Sequence, residues 1–387
     1  MKKWLISSLI ILLLSGCAPQ IKKENEVVQE KDEKKETSII PNYQISDSLY
    51  RTTIPFKPSK TRGMVVDRLN STYDINEFET GLMRVAKENF STDTYFFQEG
   101  QNLDQETVRS WLNRKYTKAQ LKELKLDEED NVGLNPVNDK KGSVEEQNEK
   151  SPIYLAHILE HDYLVKDGKT VKLGGMVIGL ALNSVHYYQK EQYGATFEQP
   201  IEHAKLEAEG KKIADEVLKR LRSMEGLSNI PITIALFEQN SKNAVVPGSF
   251  FAYAHAAKGN SSLGDWKKID EKHYLFPSSD AEDDHREDVA YFMRFKDDIE
   301  KYFPNYNGLI GRAFYKNDQF VNLEIDIPIQ LYGEAEVIGF TQWATSLVMD
   351  HFPDYFNVNV NISSINGAEA LISKKSGDKE PFVHIYK

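Results

Sequence analysis

Apolar side chains recur at steps of three and four residues in several segments, the spacing that places them on one face of a helix. Between Ile75 and Phe90 they form a continuous stripe, and Asp74 or Asn76 is the predicted N-cap. The same spacing predicts helices at about residues 75–90, 104–114, 198–224, 283–303 and 333–352. Continuous or alternating apolar runs predict strands at about residues 51–58, 153–165, 171–188, 231–237, 248–257, 274–277, 308–315, 319–331, 358–364 and 382–386.

These predicted elements follow the same order twice. A strand, a helix, a hairpin, a helix and a strand occur in the first part of the chain and again from residue 270 onward. This order predicts an α+β fold of two tandem, structurally similar repeats, with mainly antiparallel sheets packed against helices. We place the first repeat at residues 46–258, with an inserted helix and loop at 91–150, and the second at 259–387. Residues 118–150 are strongly polar and predict a helix fragment followed by a long exposed loop.

The N-terminus has the pattern of a lipoprotein signal sequence. Two lysines precede an apolar run that is too short to span a bilayer. The run ends in Leu14, Ser15, Gly16 and Cys17, which is the lipobox order of an aliphatic residue, two small residues and a cysteine. Small residues admit the extended chain to a signal peptidase, and the cysteine thiol accepts a diacylglyceryl group. The pattern predicts a signal peptide at residues 1–16, cleavage before Cys17 and lipidation of Cys17.

The segment after the lipobox is mostly charged or amide-bearing, which predicts a lipidated cysteine and disordered tether at residues 17–45. At ~5–6 Å times the square root of the residue number, the flexible part would span about 30 Å. The net charge of the whole chain is −11, and residues 1–16 contain two lysines and no acid, so the mature chain carries −13. Anionic lipids do not attract such a chain. The acyl chains must therefore anchor it to the outer face of the cytoplasmic membrane.

Composition excludes several classes of protein. A single cysteine among 387 residues excludes a disulfide framework and a cysteine-rich zinc or iron–sulfur site. The excess of 59 acidic over 48 basic residues argues against nucleic acid as a partner, because phosphate binding requires a positive surface. The hydrophobic fraction of 40% is sufficient for packed cores. The sequence indicates no cofactor.

One motif points to metal chemistry. His157, Glu160 and His161 match H-x-x-E-H, which on a helix places two zinc ligands on one face beside a general base. The motif supports an alternative in which the chain is an extracytoplasmic zinc-dependent hydrolase. The neighbouring residues favour a strand, however, where residues 157 and 161 lie about 13 Å apart at ~3.3 Å per residue. Because one zinc ion cannot bridge that distance, the sequence favours two histidines on a half-buried strand without a metal.

The lipobox and several stretches of the mature chain resemble the CamS lipoproteins of Gram-positive bacteria, known as precursors of a peptide sex pheromone. The resemblance runs from about Arg51 to Tyr386. It rests on GLNP (133–136), IGLALNSV (178–185), GDW (264–266), LFPSSDAEDD (275–284), YFPNYNGLIGRAFY (302–315), GFTQW (339–343) and FVHIY (382–386). None of these is a catalytic signature, but together and in this order they are typical of the family. The family has two tandem repeats, in agreement with the order of elements.

The resemblance implies a function for the signal sequence. In the family, the heptapeptide before the cysteine is released, trimmed and exported, and it induces conjugative plasmid transfer in a recipient. The corresponding residues here are Ile10, Ile11, Leu12, Leu13, Leu14, Ser15 and Gly16. They are apolar, but they lack the first Ala and the Phe of the family's known pheromone. The implied processing partners are a diacylglyceryl transferase and a lipoprotein signal peptidase.

Two hypotheses follow from the sequence. In the first, the chain is a membrane-anchored surface lipoprotein and not an enzyme, with a signal peptide that is a pheromone source. Its ectodomain is then a binding or structural module whose ligand the sequence does not reveal. In the second, the ectodomain is the zinc-dependent hydrolase. The sequence contains no further catalytic constellation, which favours the first hypothesis.

Overall fold

The computed structural model describes residues 26–31, 34–302, 308–330 and 333–386. The predicted signal peptide, Cys17 and the candidate pheromone peptide lie outside these residues. The helices are α1 (Thr72–Ala86), α2 (Gln105–Leu112), α3 (Lys118–Leu124), α4 (Val144–Lys150), α5 (His203–Ser223), α6 (Ser279–Tyr302) and α7 (Glu334–His351). The strands are β1 (Glu26–Lys31), β2 (Lys34–Ile39), β3 (Tyr95–Glu99), β4 (Leu155–Asp167), β5 (Thr170–Asn183), β6 (Val185–Gln189), β7 (Thr196–Pro200), β8 (Ile232–Gln239), β9 (Ser249–Ala256), β10 (Lys267–Lys268), β11 (Glu271–Phe276), β12 (Ile310–Lys316), β13 (Gln319–Pro328), β14 (Asn357–Ser364), β15 (Gly367–Lys374) and β16 (Phe382–Ile385).

The first sheet is built around one parallel pair of strands. Its main part runs in the order β3, β4, β5, β8, β9 and β10, and only β5 and β8 are parallel. The connection between the parallel strands contains α5, as a crossover requires. Because β10 pairs with β9, this sheet continues past residue 258, where we placed the end of the first repeat.

The second sheet has the order β11, β12, β13, β14, β15 and β16. Again only the central pair, β13 and β14, is parallel, and the crossover between them contains α7. The chain is therefore a mixed α+β protein with mainly antiparallel sheets, as the sequence predicts. Strand β15 was not predicted. It completes the second sheet between β14 and β16.

Helices cover both faces of the first sheet and one face of the second. The stripe of α1 packs through Phe78, Leu82 and Val85 against Val177 and Phe237 on one face of the first sheet. On the opposite face, α2 and α5 share a second core with the same strands. Helices α6 and α7 pack together on the second sheet. None of the helices in the described ranges is long and apolar enough to cross a membrane.

Local signals explain several boundaries and one wrong prediction. Helix α1 begins after Ser71, whose side chain accepts a hydrogen bond from the Asp74 amide, so neither Asp74 nor Asn76 is the N-cap. The strand predicted at 51–58 is wrong. Only Thr52 and Ile54 form isolated bridges there, because the prolines in this segment donate no backbone hydrogen bond.

Residues 26–39 form an antiparallel hairpin of β1 and β2. Val28 and Gln29 also pair in parallel with Thr170 and Val171 at the start of β5. Val27 is fully buried beside Phe96 and other apolar residues. This part of the chain therefore differs from the disordered tether that we predicted for residues 17–45. Backbone pairing and one buried valine order a segment whose composition is otherwise polar.

An ionic network joins α1 to β11 of the second sheet. Arg84 donates to Glu77 on its own helix and, at 2.8 Å, to Glu271 on β11. The Glu271 side chain is only 2% exposed. Burial would raise the pKa of Glu77, but hydrogen bonding and charge from His273 and Arg84 lower it below its usual range. The network therefore holds two carboxylates in ionised form between the two sheets.

Replacing Arg84 by Met removes the cation that these two carboxylates share. We expect Arg84→Met to lower the free energy of unfolding by about 2 kcal/mol, because removal of one partner leaves buried charge unpaired. Urea unfolding at pH 7 measures the change, with Arg294→Met on the exposed side of α6 as the matched control. Equal stabilities of the two variants would contradict a stabilising role for the network.

Candidate functional site

The residues of the H-x-x-E-H motif lie on β4, not on a helix. His157 pairs with Ala181 of β5 and His161 pairs with Val177, with regular register between them. Both histidines therefore project to the face that α1 covers. Glu160 is out of phase with them and projects to the opposite face. The structure does not bring the three side chains together, and the geometry that the hydrolase hypothesis requires is missing.

Glu160 instead binds the backbone that leads into α2. Its carboxylate accepts hydrogen bonds from the amides of Gln101, Asn102 and Leu103, at 3.2, 3.0 and 2.7 Å. The side-chain amide of Asn102 donates a further bond of 2.6 Å. Asp162 supports the same loop, at 3.1 Å from the amide of Gln101. A carboxylate with these partners, only 2% exposed, fixes a loop and has no position from which to activate water.

The two histidines lie at the base of a pocket of about 460 Å³ between β4 and α1. We call it the imidazole pocket. Leu159, Phe97 and the two histidines form its floor, and one side of α1 forms a wall. Residues 56–66 close the remaining side. The wall and the closing segment contribute Phe56, Ser59, Thr61, Arg62, Gly63, Val65, Val66, Ile75, Glu79 and Met83, and Glu99 lies at the edge of the floor.

Burial keeps both imidazoles neutral. Burial, with a smaller contribution from Arg68, lowers the pKa of His157 to about 4. Burial alone lowers the pKa of His161 to about 3. The Nδ1 atom of each ring is buried without a hydrogen-bond partner among the described residues. Buried polar atoms are usually paired, so two unpaired atoms in one pocket indicate a place where a ligand can supply the partners.

Charged residues lie at the mouth of the pocket. Glu99 accepts hydrogen bonds from the Ser59 amide at 2.5 Å and from Arg62 Nε at 3.2 Å, and it forms an ion pair with the same guanidinium. These bonds tie the closing segment to the end of β3. Burial and the nearby Glu99 raise the pKa of Glu79, which lies across the mouth on α1. The mouth therefore has two carboxylates and one guanidinium around an apolar interior.

A second and larger cavity, of about 570 Å³, lies between the β8–β9 connection and β11. Its charged lining residues pair within the molecule. His203 Nδ1 lies 2.6 Å from Glu238, and Lys272 lies 2.8 Å from Asp284. In the described ranges, no three His, Cys, Asp or Glu side chains are arranged to hold a metal ion. The imidazole pocket is thus the better candidate site.

The sequence identified the two histidines but not the pocket that contains them. The pocket brings together the segment at 56–66, α1, β3 and β4, which lie far apart along the chain. Spacing within β4 could show only that His157, Leu159 and His161 share a face. The signal for the wall was present in α1, where Ile75, Glu79 and Met83 recur at steps of four residues.

Comparison with known proteins supports the fold and identifies the family. A family model described as CamS sex pheromone cAM373 precursor matches residues 56–380. The solved C-terminal domain of the sex pheromone staph-cAM373 precursor from Staphylococcus aureus is 39% identical. The match covers 83% of this chain and 99% of that chain, with a TM-score of 0.71. No curated protein gives a significant match.

A second solved structure, a sex pheromone precursor from Lactobacillus salivarius, is 32% identical. Its match covers 89% of this chain and 98% of that chain, with a TM-score of 0.80. The family model spans most of the sequence and agrees with both structural matches. The chain belongs to the CamS family of sex pheromone precursors.

Proposed function

We propose that this CamS protein is a membrane-anchored surface lipoprotein whose ectodomain is a binding module. The observation that carries the binding function is the imidazole pocket, where two buried neutral histidines each have an unpaired Nδ1 atom. An apolar pocket with a few convergent polar groups and perturbed pKa values is typical of a ligand site. The hydrolase alternative has no comparable support, since Glu160 is engaged on the other face of β4.

The lipobox supports the anchoring part of the proposal. Leu14, Ser15 and Gly16 precede Cys17 in the order that a signal peptidase requires. A diacylglyceryl transferase would modify Cys17, and a lipoprotein signal peptidase would then release residues 1–16. Two acyl chains are sufficient for stable binding to the outer face of the cytoplasmic membrane. Further trimming would yield the peptide Ile10–Gly16 as a candidate pheromone.

The sheet topologies support a tandem-repeat origin of the ectodomain. Each sheet has a main series of six strands with one parallel pair at its centre and antiparallel pairs on both sides. In each sheet a helical crossover connects the parallel strands. We infer that two copies of one unit gave rise to both halves, and that the first copy gained the segment containing α2, α3 and α4.

Cys17→Ala tests the anchor. We expect the wild-type protein in the membrane fraction and the variant outside it, because the variant cannot accept a diacylglyceryl group. Mass spectrometry of the membrane fraction should find a diacylated Cys17 N-terminus, and spectra of the medium should contain the 10–16 peptide. Ser7→Ala, in the apolar run, is the control and should leave the fractionation unchanged. Retention of Cys17→Ala in the membrane would refute lipid anchoring.

The apolar fluorophore N-phenyl-1-naphthylamine tests the binding module. The S. aureus relative was solved as a C-terminal domain alone, so we choose a soluble chain that starts at residue 18. We expect the probe to gain fluorescence with this chain and to lose at least 80% of that gain with Val66→Trp. Val66 lines the pocket and is 64% exposed, so tryptophan can fill the pocket without disturbing the core.

Ile338→Trp is the matched control, because Ile338 is an exposed residue of α7 that lines none of the pockets described above. It should retain the fluorescence gain of the wild type. Equal fluorescence from Val66→Trp and the wild type would contradict the assignment of the binding function to this pocket.

A further inference from the structure

The imidazole pocket has the length, lining and charge of a peptide site. We infer that it binds a short oligopeptide with apolar side chains and a free amino terminus. This inference rests on the binding function proposed above and adds a ligand class to it. Four observations carry it: the span of the floor, the apolar wall, the unpaired imidazole atoms and the acidic mouth.

The floor sets the length of the ligand. His157 and His161 are four residues apart on the same face of β4, which corresponds to about 13 Å along a strand. Three or four residues of an extended peptide have the same length. The volume of about 460 Å³ lies in the range of pockets that hold small ligands.

The wall sets the character of the ligand's side chains. Ile75 and Met83 of α1, Val65 and Val66 of the closing segment and Phe97 of β3 all line the pocket. Apolar ligand side chains gain free energy when they leave water against such a surface. A sugar or a nucleotide would instead place several hydroxyl groups against residues that offer no hydrogen bond.

The imidazoles require polar groups along the ligand. Each neutral ring has one nitrogen that donates and one that accepts, and Nδ1 of both rings is unpaired in the described part of the protein. A plain acyl chain would leave both atoms unpaired. Every peptide group carries an N–H and a C=O, so an extended peptide can pair with either tautomer at both ends of the floor.

The mouth sets the charge at one end of the ligand. The Arg62 guanidinium neutralises Glu99, to which it is bound. Glu79 has no ion-pair partner in the described ranges, so the mouth retains one negative charge. A protonated amino terminus is the peptide group that complements it.

Isothermal titration calorimetry at pH 7 tests the assignment with the peptide Leu-Leu-Leu and the soluble chain from residue 18. We expect 1:1 binding by the wild type, at least tenfold weaker binding by Val66→Trp and unchanged binding by Ile338→Trp. Circular dichroism melts of all three proteins verify that each is folded. Wild-type protein that does not bind Leu-Leu-Leu would overturn the peptide assignment.

Two further titrations test the amino terminus and the peptide groups. N-acetyl-Leu-Leu-Leu should bind the wild type at least fivefold more weakly than the free peptide. Glu79→Gln should weaken binding of the free peptide to a similar extent and leave the acetylated peptide unaffected. Octanoate should bind more weakly than Leu-Leu-Leu. Equal affinities for the free and acetylated peptides, or tighter binding of octanoate, would overturn the proposal.

The outcomes separate the two levels of the argument. If N-phenyl-1-naphthylamine binds in a manner sensitive to Val66→Trp but the peptide does not bind, the ligand class is wrong and the pocket is still a binding site. If neither the fluorophore nor the peptide binds, both the ligand class and the proposed binding function are refuted.

Discussion

Acidification from pH 7 to pH 4 is expected to destabilise this protein strongly through His157 and His161. Their folded-state pKa values of about 4 and about 3 lie below the ordinary value of 6.5. Between these values the unfolded chain binds more protons than the folded chain, so stability falls as pH decreases through 6.5. At pH 4 each histidine should cost about 3 kcal/mol of unfolding free energy, since one pKa unit corresponds to about 1.4 kcal/mol.

Urea unfolding of the wild type and of a His157→Gln/His161→Gln variant at pH 7 and pH 4 measures this effect. Glutamine is polar and does not titrate, so the double variant should lose about 6 kcal/mol less than the wild type on acidification. His384→Gln, at an exposed residue of β16, should retain the wild-type pH dependence. An equal loss of stability in the double variant and the wild type would show that the histidines are not buried in neutral form.

Glu160→Ala is expected to reduce the free energy of unfolding by about 4 kcal/mol. The substitution leaves the amides of Gln101, Asn102 and Leu103 without their shared acceptor, and an unsatisfied buried donor costs about 1–3 kcal/mol. Gly100 packs so closely on Glu160 that a Cβ atom there would lie 2.5 Å from the Cβ atom of Glu160. The loop therefore has little freedom to find another acceptor.

Chemical denaturation measures this loss, and Glu198→Ala provides the matched control. Glu198 is an exposed strand residue of β7, where substitution should change stability by less than about 0.5 kcal/mol. The comparison also separates the structural role of Glu160 from a catalytic one. Wild-type stability in Glu160→Ala would remove the basis for its role as a loop anchor.

Sequence patterns predicted the elements that have one apolar face on a large core. The stripe of α1 and the apolar alternation of β13 are examples, because their buried residues recur with the period of the element. Strand β15 was missed, since only Ala370 and Ile372 are buried apolar residues on its core face. The hairpin of β1 and β2 was missed for a similar reason: its order depends on backbone pairing with β5, which side-chain periodicity does not report.

The candidate site was predictable only in part. Strand periodicity placed His157 and His161 on one face and argued against a shared zinc ion. It also placed Glu160 on the other face, but its partners lie about 58 residues earlier in the chain and have no shared motif with it. The pocket depends on long-range packing of α1 over β4, so its volume and its unpaired imidazole atoms required the tertiary structure.

The pairing of β1 with β5 limits how far the protein can reach from a membrane. Glu26 is nine residues from Cys17, and at ~3.6 Å per residue this segment can extend at most about 32 Å. A chain unattached as far as residue 46 could extend about 100 Å under the same rule. With Cys17 acylated as proposed, β1 would act as a short leash. The ectodomain would then sample only the layer of solvent next to the bilayer, and its ligands would have to come from that layer.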